Sequence, residues 1–235
     1  MKKFCPNCEE LLKPDVKPTM GHCPGCGWYG PMQQSLNEAF LPLPSPKLPY
    51  ISIDIETTGL VPETCQILEF GAVFDNWTKP VRELPTFHRY IRRETIVGNP
   101  FALAMNAEII RRIASARADD PDFCTIQELS GQFVLWLRDE CGWDLSQQRI
   151  TPAGKNFASF DRQFLKLHGF DGFFHHRTLD PALLYWLSED EKLPDTKTCM
   201  MRAGLDGTVA HTAVKDAQTV VWLVRLGIKR LEGMR

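Results

Sequence analysis

Long apolar runs are missing from this sequence. None approaches the roughly 18 residues that a membrane-spanning helix needs, so no membrane association is expected. No apolar stretch follows Met1-Lys2-Lys3, and no secretory signal is predicted there. Nor is there an excess of charge of either sign. Lys and Arg number 27 against 29 Asp and Glu, a formal charge of −2. That excludes a protein that coats nucleic acid indiscriminately through a basic surface. It leaves room for an enzyme that touches one chain end, because bound divalent cations would supply positive charge locally. Internal repeats and a low-complexity tail are absent as well. The expectation is a cytoplasmic protein whose 43% hydrophobic and 24% charged residues suit an ordinary globular core.

The chain has eight cysteines, and in a reducing compartment they read as metal ligands and buried thiols rather than disulfides. Cys65, Cys124, Cys141 and Cys199 are scattered and are expected to be buried or idle thiols. The other four form two tight pairs, Cys5-Pro-Asn-Cys8 and Cys23-Pro-Gly-Cys26, with 14 residues between them. Each pair can turn two thiolates onto one metal, and two pairs complete a closed tetrahedral site. The spacing is just under the usual range, but the Cys-Pro-x-Cys form of both pairs supports a zinc ribbon. One structural Zn²⁺ on Cys5, Cys8, Cys23 and Cys26 is therefore predicted, supplying much of the folding free energy of so short a segment. A redox CxxC pair would not explain why there are two. His22 is read as a bystander rather than a substitute ligand. Trp28 and Tyr29 suit packing against the ribbon, with stacking on bases as the alternative. A closed four-cysteine site has no open coordination position, so this zinc would not be catalytic.

Prolines at 42, 44, 46 and 49 suit an extended spacer and exclude a helix interior. The resulting division is a zinc ribbon at 1–40, a Pro-rich linker at 41–49 and an α/β domain at 50–235. In that domain, Tyr50–Glu56 alternates with Ile51, Ile53 and Ile55 on one face, the period of a strand. Gln66–Phe74 and Thr86–Arg93 are further strands by composition, with Arg149–Gly154 a short one. Helices are predicted over Phe101–Arg117, over Thr125–Cys141 behind a capping box of Thr125 and Glu128, and over Asp161–His168, Asp180–Leu187 and Thr212–Arg230. Strands first, then helices with strands between, imply a mixed sheet covered by helices.

Three acidic elements carry chemistry. Asp54 and Glu56 are two apart on a strand, so both project from one face, costly for like charges unless a cation joins them. Asp161 falls at a loop-to-helix transition in Asn156-Phe-Ala-Ser-Phe160-Asp161, with Phe164 and Leu165 able to anchor the helix. On its own it is equally a helix-start acid favoured by the dipole. His211 and Asp216 are five apart, about 140° on an ideal helix, which disfavours both binding one metal as a helical pair. Asp216 as a ligand, with His211 at the helix entrance reaching a water, fits that spacing.

Asp54-Ile-Glu56-Thr-Thr-Gly, Asn156-x3-Phe160-Asp161 with Phe164-Leu165, and His211-x4-Asp216 together resemble the three motifs of the DEDDh 3′→5′ exonuclease superfamily. That superfamily includes the proofreading subunit of bacterial DNA polymerase, oligoribonuclease and RNase T. The resemblance spans residues 50–230, and Arg177-Thr-Leu179-Asp180 is similar to a segment of oligoribonuclease. It implies an RNase H-like fold and a site in which Asp54, Glu56, Asp161 and Asp216 hold two Mg²⁺ or Mn²⁺ ions, hard cations that prefer oxygen. His211 would be the general base. Thr57, Thr58 and Leu60 would bind the 3′-terminal nucleotide, through backbone amides and a wedge against its base, and Asn156 is placed with them. The partner would be a single-stranded 3′ end, with nucleoside 5′-monophosphates as products. The ribbon is left to grip nucleic acid or a protein, and dimers among oligoribonuclease-like members leave a homodimer open. A retired binding module and a hydrolase of small nucleotides remain as rival functions. Between the first two motifs, Met105 is expected in the core and Asn106 in solvent, with both facing the substrate as the alternative. Arg92, Arg93, Arg111, Arg112 and Arg117 suit phosphate contacts or a solvated face equally.

Overall fold

A computed structural model describes residues 13–14, 20–22, 29–31, 48–207 and 211–232. Cys5, Cys8, Cys23 and Cys26 of the expected ribbon lie outside these residues, as does most of the Pro-rich linker. Between residues 13 and 31, β1 (Lys13–Pro14), β2 (Met20–His22) and β3 (Tyr29–Pro31) form a small antiparallel sheet in which His22 stands opposite Tyr29.

The other five strands are β4 (Tyr50–Thr57), β5 (Ile67–Asp75), β6 (Thr86–Ile91), β7 (Phe123–Cys124) and β8 (Thr151–Ala153). They form one sheet in the order β7-β6-β5-β4-β8, with antiparallel pairing at the centre and a parallel strand at each edge. The helices are α1 (Pro100–Met105), α2 (Ala107–Ala114), α3 (Ile126–Asp139), α4 (Asp161–Lys166), α5 (Ala182–Tyr185), α6 (Thr196–Arg202) and α7 (Ala213–Glu232). This is the mixed α/β sheet flanked by helices that the pattern predicts.

Alternation along β4 and β5 sorts residues onto two faces. Ile51, Ile53 and Ile55 with Phe70 and Phe74 bury against Phe133 of α3 and Phe164 and Leu165 of α4. Each such side chain removed from water contributes about 1.5–3 kcal/mol. On the other face Tyr50 and Val73 meet Val220, Val221 and Val224 of α7. Asp54 and Glu56 share this second face, further along β4. Among the described residues, no helix is long and apolar enough to cross a membrane.

Several boundaries differ from the sequence reading. The expected helix at 101–117 is two helices, broken where Asn106 (φ −93°, ψ 21°) leaves the helical region. The helix expected at 180–187 is a single turn, and α6 was not anticipated because its seven residues offer no long apolar period. The capping box at Thr125 and Glu128 is formed, with Thr125 Oγ1 accepting the Glu128 amide and Glu128 Oε2 accepting the Thr125 amide.

Candidate active site

The site is built where β4, β5 and the start of α7 meet. Asp54 and Glu56 point to the α7 face, and Asp216 reaches them from the first turn of α7. One carboxylate oxygen from each lies within 4.8 Å of the others. A close approach and a strand irregularity make this possible. Gly71 stands opposite Asp54 on β5, and a Cβ there would run into the Ala213 and Val214 backbone of α7. Only glycine lets the helix start this near the sheet. The β4–β5 register also shifts between Glu56 and Thr57, from Glu56↔Glu69 to Thr57↔Ile67. Such a bulge bends the strand and re-aims its side chains.

Asp161 arrives from the sheet's edge. Pairing between β4 and β8 ends at Ser52↔Ala153, so the Ile55 amide lies beyond the end of β8. Asp161 Oδ1 accepts that amide at 3.2 Å, which seats the buried carboxylate at the end of the shortened strand.

Burial and mutual repulsion push these acids upward. Loss of solvent, then the charges of Asp216 and Glu69, raise Glu56 to about 7, against a small downward pull from the Asn106 side chain. Asp161 also rises to about 7, chiefly through burial, although two backbone amides oppose the shift. Asp54 stands well above the usual carboxylate range, through burial first and then the charges of Asp161, Asp216 and Glu56. No ion pair to Asp54, Glu56 or Asp161 occurs among the described residues. Crowded oxygen donors, with no described cationic side chain paired to Asp54, Glu56 or Asp161, suit hard divalent cations. The donor set therefore fits the ions that the motifs imply, and Asp54, Glu56 and Asp216 are the residues best placed to hold one.

The remaining predicted residues are placed unequally. His211 is exposed two residues before α7, with φ at +51°, and hydrogen-bonds none of the carboxylates. Asn156 is exposed, also in the left-handed region at φ +60°, and its amide donates to Asp180 Oδ2 at 3.0 Å. In the turn after β4, Thr57 Oγ1 donates to Gly59 O at 2.7 Å, and Thr58 accepts the Gln66 amide through Oγ1. The Thr58 amide donates to Gln66 O, so Thr58 shapes the turn and offers no free amide to a nucleotide. Leu60 is 81% exposed, as a wedge would be.

The sequence reading favoured a non-functional role for the α1 segment, which the structure places at the site. Gly98 packs so closely on Thr58 that a Cβ would overlap it, and the Asn99 amide donates to Thr58 O at 2.8 Å. This docks α1 beside the Thr57–Leu60 turn. Met105, expected in the core, is 52% exposed, and Phe101, one turn earlier, is 73% exposed. Asn106, expected in solvent, is 6% exposed, and its side-chain amide donates to Thr57 O at 3.0 Å. The pattern assigned both wrongly because the helix breaks between them. Glu69 was also missed: it reads as one polar residue in an apolar strand, and only the pairing places it opposite Glu56. The arginines divide between internal contacts, with Arg93 donating to the Ile67 carbonyl, and exposed surface pairs, with Arg117 beside Asp119. Arg92 donates to the carbonyls of Arg117, Ala118 and Asp120, Arg112 pairs with Asp120 and Asp122, and Arg111 pairs with Glu108.

No protein-family model matches the chain, and no curated protein matches it significantly. Solved structures do. Cell-death related nuclease 4 aligns with a TM-score of 0.55 at 13% identity, covering 77% of this chain and 64% of that one. E. coli exonuclease I, in a zinc-ion-bound complex with single-stranded DNA, aligns with a TM-score of 0.56 at 14% identity, covering 80% of this chain and 42% of that one. The same enzyme with a dA16 oligonucleotide gives 0.56 at 13% identity over the same shares. The chain thus spans less than two thirds of either neighbour. At such identities the likeness establishes architecture: the chain has the RNase H-like α/β fold of these exonucleases.

Proposed function

We propose that this chain is a metal-dependent 3′→5′ exonuclease that hydrolyses single-stranded DNA or RNA to nucleoside 5′-monophosphates. The observation that carries the reading is the convergence of Asp54, Glu56 and Asp216 within 4.8 Å, with Asp161 seated against β4. Neighbours that are nucleases, one of them crystallised with single-stranded DNA, support it.

Two Mg²⁺ or Mn²⁺ ions on Asp54, Glu56, Asp161 and Asp216 would acidify the attacking water and neutralise charge on the leaving 3′-oxygen. The protein's own work is placement and proton handling. His211, at the mouth of α7 and open to solvent, accepts the proton of the attacking water, a task suited to an imidazole. Leu60, Phe101 and Met105 offer an apolar border beside the carboxylates, on which the terminal base rests as the Thr57–Leu60 turn holds its sugar and phosphate. Asn156 contacts the substrate from the β8 side. Cys5, Cys8, Cys23 and Cys26 bind one structural Zn²⁺ in a ribbon over 1–40, joined by the linker at 41–49 to the exonuclease domain at 50–235.

The test is incubation with 5′-labelled single-stranded DNA and RNA of several lengths, with Mg²⁺, Mn²⁺ or EDTA, beside an Asp54→Asn control. A metal-dependent ladder that shortens from the 3′ end and vanishes in the variant is expected. Binding of these strands without cleavage under any condition would replace this reading with the retired binding module. Cleavage confined to dinucleotides would replace it with the small-nucleotide hydrolase.

A further inference from the structure

Glu69 is a fifth carboxylate on the catalytic face, outside the set that the motifs assign. It lies directly across from Glu56 in the β4–β5 pairing and is 1% exposed. Both of its oxygens are engaged. Oε1 accepts from His88 Nε2 at 2.7 Å, and Oε2 accepts the amide of Ala213, the first residue of α7, at 3.3 Å. That amide is one of the four a helix leaves without an internal partner, and a negative charge is favoured there. Asp216 follows Ala213 by three residues, so the two share nearly one side of the helix. Fixing the Ala213 amide over Glu69 therefore fixes the direction in which Asp216 points. The contact sits beside Gly71, where helix and strand backbones touch, so little slack remains in the joint.

The choice of a carboxylate calls for an explanation. Buried charge beside Glu56 and Asp54 adds to the repulsion in the cluster, and an uncharged acceptor could hold one amide at lower cost. A charge at this position is useful if cations are to be drawn in. We propose that Glu69 is a positioning residue for the cation site: it clamps α7 onto β5 so that Asp216 meets Asp54 and Glu56, and its charge strengthens the cluster's hold on divalent ions. His88, half-buried on β6 with its ring edge against Tyr90 at 4.6 Å, holds Glu69 in that orientation. The inference rests on the exonuclease reading, since it assigns the cluster to metal.

The test is Mn²⁺ binding by calorimetry to the full chain without nucleic acid, beside thermal melting in EDTA and kinetics at rising Mn²⁺. Glu69→Gln keeps the shape but loses the charge, and its amide cannot accept from both donors. Mn²⁺ affinity is expected to fall about 10- to 100-fold, the range typical of residues that support metal ligands. The melting temperature in EDTA should hold or rise, and excess Mn²⁺ should restore part of the turnover. His88→Gln, which keeps a donor, should bind Mn²⁺ nearly as the unaltered chain does. His88→Ala, which leaves the buried position intact, should weaken binding several-fold and carries the test if Glu69→Gln does not fold. Unchanged Mn²⁺ affinity in Glu69→Gln and His88→Ala would overturn the proposal. So would a lower melting temperature with normal metal affinity, the mark of a merely structural role. Failure of the unaltered chain to bind Mn²⁺ or cleave would overturn the exonuclease reading and this one with it.

Discussion

Helix α7 meets buried carboxylates at two places along its length and treats them in opposite ways. Toward its middle, Arg225 forms a two-pronged ion pair with Asp75, at 2.6 and 2.9 Å, and Tyr50 donates to the same carboxylate at 2.8 Å. Every partner there is buried, and the charge is cancelled. At its start α7 brings a further acid, Asp216, to Asp54 and Glu56, and among the described residues no ion pair serves those two. One strand pair and one helix thus build both a neutralised charge and an accumulated one. The first is what stability requires of a buried carboxylate. The second is tolerable when an external cation completes it, and that contrast separates the structural end from the functional one.

The largest break in the comparison is removal of the cation at the structural end. Arg225→Ala strands Asp75 and should cost about 3–5 kcal/mol in urea unfolding, much of a typical domain's stability. Asp75→Asn combined with Arg225→Met should recover much of that. Asp54→Asn is the mirror experiment: it should abolish cleavage without lowering stability in EDTA, because it removes a buried charge that Asp161, Asp216 and Glu56 repel. An equal stability loss in both variants would erase the distinction.

The comparison sharpens with pH. Glu56 and Asp161 stand at about 7, and Asp54 is raised as well, so the folded chain keeps protons that the unfolded chain has released. For Glu56 and Asp161 that contribution is complete below the ordinary carboxylate range and is lost as pH rises through about 7, and Asp54 acts in the same direction. In EDTA the melting temperature should therefore fall between pH 5 and pH 8. Saturating Mn²⁺ should flatten or reverse that slope, since binding expels the protons. A metal-free profile that rises over this window would contradict the shared cause assigned to the three shifts. The smallest effect is a control far from both ends: Thr125→Ala removes the α3 cap and should cost about 1 kcal/mol while leaving Mn²⁺ affinity unchanged.

Much of the fold was legible because its signals are local. The alternation of Ile51, Ile53 and Ile55 marked β4, and the Thr125–Glu128 box marked the start of α3, each within a few residues. The Asp-x-Glu pair was legible as chemistry for the same reason, since period 2 forces both acids onto one face. The helix break at Asn106 was not, because Asn106 answers to a carbonyl on β4 that no local pattern reveals. Glu69 stayed hidden as well: its meaning lies in being opposite Glu56 and beneath Ala213.

By itself the sequence determined the strand that carries Asp54 and Glu56, the order of the three acidic motifs and the resemblance they bear to a nuclease superfamily. These follow from periodicity and short spacing, which a chain cannot hide. Only the tertiary structure decided that β8 stops early enough for Asp161 to reach the Ile55 amide. It alone decided that Gly71 admits α7, and that Glu69 ties the helix to the sheet. Those are contacts between residues far apart in the chain, set by strand ends, register and close backbone approach, quantities with no local signature.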